Sequence, residues 1–224
     1  MKIIKSACNI AILCLFTVST SALAQVASIN FFQPLAGKAP LTLEYMQEAR
    51  AIHEAMGVSV GITSDLRGQY GYAMYFENWA HMGRVFQSLG SNPSWQAFQS
   101  KISISPSANQ VDNLQLALRV PGAGVQAGNV SEITVWEVTT GTMGELMEGG
   151  MGAKPIHERA GANVAIFSMP GRMYYVTSFD SFEAWGAFRD TPNPEFQRYM
   201  QGLQRDANGQ LGAVVVERHT IVHH

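Results

Sequence analysis

The chain has 224 residues with 15 basic and 17 acidic side chains, a formal charge of −2. The charges are scattered and no basic cluster forms, which argues against nucleic acid and anionic membrane surfaces as partners. Both cysteines, Cys8 and Cys14, fall within the first 24 residues, so the remainder has no disulfide, no thiolate nucleophile and no cysteine ligand for a metal.

Residues 1–24 read as a signal peptide. Lys2 and Lys5 precede a mostly apolar run, Ile10 to Val18, and Ser21-Ala22-Leu23-Ala24 supplies the small residues a signal peptidase reads. The run is too short to span a bilayer comfortably, so the mature chain is expected to start at Gln25 without an integral membrane segment. Export to the periplasm or medium follows as an expectation. About 200 remaining residues can bury a core without disulfide staples.

In chain order, Ala27–Phe32 is rich in β-branched and aromatic residues and predicts a first strand. Leu41–Met56 predicts a helix, with Tyr45, Ala49, Ile52 and Met56 spaced four, three and four. Gly57 suits its C-terminus, where a left-handed residue costs least without a Cβ. Val58–Ser64 and Gln69–Phe76 predict two strands around Arg67-Gly68, Asn78 predicts the N-cap of a second helix, and Asn113–Val120 a final strand.

The same series then repeats. Glu132–Val138 predicts a strand, Ala162–Met169 and Arg172–Phe179 predict two strands around Pro170-Gly171, Asp180 opens a helix, and Leu211–Thr220 predicts the last strand. The repeat is visible residue by residue. Ile52 to Ile62 reads IHEAMGVSVGI and Ile156 to Ile166 reads IHERAGANVAI, and a slide of 104 aligns 29–62 with 133–166 at ten identities in 34 positions. Tyr72 and Phe76 match Tyr175 and Phe179 at 103, the Asn92-Pro93 segment matches Asn193-Pro194 at 101, and Arg119 matches Arg218 at 99. The shrinking offset reads as small deletions in the second copy. The chain therefore divides into a signal peptide (1–24), a first repeat (25–120), a Pro-Gly linker (121–130), a second repeat (131–220) and a tail (221–224), whose His223-His224 reads as a frayed end.

Strand, helix, strand, strand, helix, strand is the ferredoxin-like βαββαβ order. One such unit leaves one sheet face apolar and uncovered. Two copies in one chain can cover each other, sheet against sheet, and close an eight-stranded α+β barrel with helices outside. On this order, on Phe76-Glu77-Asn78-Trp79 with Phe179-Asp180-Ser181-Phe182, and on the Asn-Pro-x-aromatic segments, the chain resembles the dimeric α+β-barrel superfamily in a fused two-repeat form. That group includes NIPSNAP-like, antibiotic-biosynthesis-monooxygenase-like and EthD-like proteins. The resemblance implies a cleft between helices and sheet for small, flat, apolar ligands, haem or polyketide-like substrates among them. For some monooxygenases of the group it also implies Asn, Trp and His acting without a separate cofactor. Asn30, Trp79 and His81 are those residue types in the first copy, where the second has Thr134, Phe182 and Ala184, so chemistry is expected in the first copy.

His53 and His157 open the repeated phrase. They are not the start of an HExxH zinc site, because the second histidine would have to stand at 57 and 161, which are glycines. A histidine in the last turn of a helix is favoured by the dipole and by free carbonyls there, so the bland reading is architectural and the sharp one is ligand-facing. Trp185 is the second copy's candidate aromatic. Arg119 and Arg218 are expected either to pair with a carboxylate such as Glu137 or Glu217, or to anchor a ligand carboxylate. Met143, Met147 and Met151 lie in a Gly-rich segment that Pro155 is expected to interrupt, leaving a broken helix over the cleft. No metal is called for, and haem is the one cofactor the resemblance brings in.

No nucleophile elbow, P-loop or dinucleotide fingerprint is present, so hydrolase and nucleotide-binding readings lack support. The expected function is an exported binding protein for a small apolar or aromatic molecule. The alternatives are a cofactor-free or haem-associated oxygenase or isomerase worked by Asn30, Trp79 and His81 or His53, and a structural protein without ligand. A homo-oligomer is compatible with all three.

Overall fold

A computed structural model describes residues 26–203 and 211–224; the expected signal peptide lies outside them. The first repeat runs β1 (Val26–Pro34), α1 (Ala39–Ala55), β2 (Ser59–Asp65), β3 (Tyr70–Phe76), α2 (Trp79–Leu89), α3 (Pro93–Ile104) and β4 (Ala108–Val120). The second runs β5 (Val130–Val138), α4 (Met143–Arg159), β6 (Asn163–Met169), β7 (Arg172–Phe179), α5 (Phe182–Asp190), α6 (Pro194–Gly202) and β8 (Ala213–His223). The strands form one closed antiparallel ring in the order β1-β3-β2-β8-β5-β7-β6-β4.

Strand alternation divides the side chains between two environments. On β7, Met173, Tyr175 and Phe179 pack with helix residues, while Tyr174 joins Leu116 and Val135 in a cluster built from strands alone. That strand-only cluster, with Ile29, Ile133, Leu114 and Phe167 against it, fills the barrel interior. Each repeat thus seals the sheet face that the other leaves bare.

Local signals set the element ends. Gly57 (φ 81°) and Gly161 (φ 95°) follow the first helix of each repeat in the left-handed conformation, which explains why the repeated phrase keeps that glycine. The second helix of each repeat is in fact two helices. Asn92 and Asn193 accept hydrogen bonds from the backbone N–H of Trp95 and Phe196, and Pro93 and Pro194 occupy the first turn, so each Asn-Pro starts a new helix.

Three sequence expectations change. Helix α4 is continuous through Pro155 rather than interrupted there, and its start is fixed by a capping box between Thr142 and Glu145. The expected tail is the end of β8. His223 is its last residue, and His224 donates its backbone N–H to the carbonyl of Ile62 at 2.8 Å. The offset also does not shrink at the final strands. Asn30 pairs with Asn113 and Thr134 with Arg218, and both pairs of strands slip register at matching points, between Phe31 and Phe32 and between Val135 and Trp136. Asn113 is therefore the counterpart of Arg218, and Arg119 of His224; the match of Arg119 to Arg218 was one of residue type, not of position.

Candidate functional site

The two repeats place a His-Tyr pair at the same point, between the end of the first helix and the middle of the third strand. His53 Nδ1 lies 2.7 Å from the Tyr72 hydroxyl, and His157 Nδ1 lies 2.9 Å from the Tyr175 hydroxyl. Burial lowers the pKa of both imidazoles, opposed by the Ala49 carbonyl at His53 and by the Glu132 carboxylate at His157. Burial likewise pushes the Tyr72 and Tyr175 phenols up, so both pairs are neutral near pH 7. What surrounds the pairs differs completely.

In the first repeat the space under α1 is full. Tyr45, Met46, Met82, Val85, Leu89 and Phe98 are buried against the sheet, and Trp95 packs 4.9 Å from the His53 ring. His53 is only 2% exposed and its Nε2 has no hydrogen-bond partner. In the second repeat the positions of Tyr45 and Met46 are Gly149 and Gly150, and neither α5 nor α6 has a fully buried residue. A Cβ on Gly149 would meet nothing within 4 Å. The outcome is a cavity of about 720 Å³ between α4, α5, α6 and the outer face of β5, β7 and β8. Its size lies within the range usual for small-molecule sites.

Trp136, Met173, Phe188, Phe196 and Tyr199 give the cavity apolar walls, and His157 faces it from α4. Phe196 packs 4.4 Å from the His157 ring. Glu132 is already held: Arg189 donates to both its oxygens at 3.1 and 3.2 Å, and Trp185 Nε1 donates at 3.3 Å. Arg218 and Thr134 also line the cavity, side by side on β8 and β5.

The structure separates the sequence candidates accordingly. Of these, His157 and Arg218 line the cavity, and Trp185 stands behind it on Glu132. The first-copy set does not converge on a cavity. Asn30 accepts from Gln110 and Asn113, Trp79 is 49% exposed, and His81 Nδ1 accepts from the Glu77 N–H at 3.4 Å. Arg119 donates to Ser168 Oγ at 2.7 Å across the barrel seam, and Glu137 and Glu217 pair with Arg172 instead of with Arg119 or Arg218. The cavity thus sits in the second copy, not the first, because the first copy's helix carries the larger side chains. Sequence reasoning passed over Gly149 and Gly150, although their alignment with Tyr45 and Met46 at offset 104 was the signal for an open cleft.

No family model matches the chain, and no curated protein matches it in sequence. Solved structures with the same fold do match. A protein provisionally named a monooxygenase from Lactobacillus acidophilus superposes with a TM-score of 0.62 at 12% identity, covering 89% of this chain and 94% of its own. An anthrone oxidase-like protein matches at 0.52 and 12% identity, covering 89% and 91%. A haem-binding protein from Thermus thermophilus matches at 0.51 and 7% identity, with the same coverage. The chain has the α+β-barrel fold of these proteins, in a single polypeptide of two ferredoxin-like repeats.

Proposed function

We propose that the protein is an exported binding protein whose second repeat holds a small, flat, largely apolar molecule between α4–α6 and the sheet. The observation that carries this reading is the replacement of Tyr45 and Met46, which fill the space between helix and sheet in the first copy, by Gly149 and Gly150 at the equivalent points of α4, where a walled cavity lies. Glycine within a helix costs about 1 kcal/mol relative to alanine; at Gly150 that cost admits Met173, whose Sδ a Cβ would meet at 2.8 Å, whereas at Gly149 a Cβ would meet nothing within 4 Å. Open space beside aromatic walls is what Gly149 leaves.

Filling that space is the test. Gly149→Phe places a ring into the cavity from a position where a Cβ meets no neighbour. Native mass spectrometry of the protein purified from its own source should reveal a co-purifying molecule that the variant lacks, at similar thermal stability. An empty wild-type protein that also fails to bind planar aromatic probes would overturn the reading. The N-terminal mass of the same sample tests export: it should correspond to a chain starting at Gln25.

A second occupant is favoured by one feature. His157 presents an imidazole to the cavity with its Nδ1 already engaged by Tyr175, the arrangement in which a ligating histidine is oriented by its second nitrogen. Were haem bound, His157 would be the residue to hold it, and the haem would supply oxygen or peroxide chemistry. Titration with haemin should then give a Soret shift that His157→Ala abolishes. No shift would leave the carrier reading alone.

A further inference from the structure

The geometry points to a narrower ligand class: a planar aromatic acid, its ring between the aromatic walls of the second repeat and its carboxylate on Arg218 and Thr134. This rests on the cavity reading above and names what that cavity selects.

The argument comes from comparing equivalent positions. In the first repeat the adjacent pair on the helix-facing sheet surface is Asn30 and Asn113, and it satisfies itself: Asn113 Nδ2 donates to Asn30 Oδ1 at 2.8 Å, and Gln110 Nε2 donates to the same oxygen at 3.1 Å. In the second repeat the pair is Thr134 and Arg218, a hydroxyl and a fixed cation, and among the described residues neither side chain has a hydrogen-bonding or ionic partner. The other charges on the cavity wall do not neutralise Arg218. Glu132 is held by Arg189 and Trp185, and Glu145 accepts from the Thr142 backbone N–H at 2.7 Å in the helix cap. Glu148 is exposed on α4 and makes no ion pair with Arg218.

Thr134 is flanked on its other side by Tyr175, so the row across β8, β5 and β7 reads Arg218, Thr134, Tyr175, with His157 above the last. Burial keeps that imidazole neutral near pH 7, so it adds a hydrogen-bonding nitrogen without a second charge. One cation with a planar fork beside a hydroxyl matches a carboxylate, which can take two parallel N–H donors from the guanidinium and a third from the threonine. Arg218 itself is exposed, so the acid group sits at the mouth while the ring lies inward over Trp136 and Met173.

The test uses 2-naphthoate and its neutral counterpart 2-naphthamide, titrated calorimetrically into the mature protein. Wild type should bind the acid at least about tenfold more tightly than the amide, as expected for one charge-assisted contact. Arg218→Gln should erase that preference by weakening acid binding far more than amide binding, with melting temperature unchanged, and Arg218→Lys should restore only part of it. Equal binding of acid and amide by wild type, or equal loss of both in Arg218→Gln, overturns the inference and leaves the cavity reading standing. If neither probe binds and Gly149→Phe changes nothing, both fall together. Haemin, which also carries carboxylates on a flat ring, is titrated in parallel. A Soret shift weakened by Arg218→Gln assigns the anchor to a porphyrin acid, and naphthoate binding without such a shift assigns it to a free aromatic acid.

Discussion

At the scale of the residue, one repeated histidine has two fates decided by its neighbours. His53 and Tyr72 are sealed in a filled core, where losing one partner leaves the other's polar group without water or protein to bond. His157 and Tyr175 make the same bond at the edge of a cavity that water can enter. Replacing His53 by Gln should therefore lower stability by about 1–3 kcal/mol in urea unfolding, the usual cost of a buried unsatisfied group. His157→Gln should cost less than about 1 kcal/mol but weaken binding of 2-naphthoate. Equal losses of stability in the two variants would contradict the asymmetry. The IHE phrase alone could not tell these fates apart, because it records the shared helix end and its Gly57 or Gly161 cap. The difference lies a turn or two earlier in the helix, at Tyr45-Met46 against Gly149-Gly150.

At the scale of the element, α4 is a helix that its own sequence supports poorly. Gly144, Gly149, Gly150 and Gly152 each cost about 1 kcal/mol relative to alanine, and Pro155 withholds one backbone donor. The helix stands because its start is capped and its glycines admit neighbours: Tyr199 donates to the Gly149 carbonyl at 2.8 Å and its ring lies against Gly152. Those roles separate by substitution. A Cβ on Gly144 has only Thr142 Oγ1 nearby, at 3.7 Å, so Gly144→Ala should stabilise by about 0.5–1 kcal/mol. A Cβ on Gly152 would collide with the Tyr199 ring, so Gly152→Ala should destabilise by about 1–3 kcal/mol. Paired chemical denaturation curves moving the same way would contradict this account. The strands and first helices were legible because period-two and period-four spacing survives in both copies. The continuity of α4 was not, since Pro155 and four glycines argue locally against a helix that tertiary contacts and a cap hold together. The split of each second helix was missed, although Asn92-Pro93 and Asn193-Pro194 are capping signals as much as turn signals.

At the scale of the molecule, the barrel is closed by two short seams related by the repeat, and they differ in the chemistry that fastens them. At the β4–β6 seam Arg119 donates to Ser168; at the β2–β8 seam the equivalent His224 Nε2 lies 2.7 Å from Ser64 Oγ. One position inward, Leu118 has His223 as its counterpart, whose Nε2 lies 2.8 Å from Ser131 Oγ, itself 2.6 Å from Ser178 Oγ. The first seam carries a permanent cation and no titrating imidazole, whereas the second rests on two histidines. The duplication was visible in the sequence, but this asymmetry was not, because the last strand was aligned by its arginines and not by register. Burial first, and the neighbouring His224 second, lower the His223 pKa to about 4, while burial and then Arg50 lower that of His224. Arg50 also donates to the His224 carbonyl at 3.0 Å, so a proton on His224 would face an existing cation. An unfolded histidine titrates near 6.5, so between about pH 6.5 and pH 4 the unfolded chain binds more protons than the folded one. The contribution of His223 is therefore complete above about pH 6.5 and declines as the pH falls towards 4, by on the order of 2 kcal/mol once partial exposure is allowed for. His223→Leu, which copies the residue of the other seam, should flatten this decline between about pH 6.5 and 4.5 when unfolding free energy is measured by urea titration at each pH. A variant with the same slope as wild type would show that acid sensitivity resides elsewhere and that the two seams are equivalent in chemistry as well as in position.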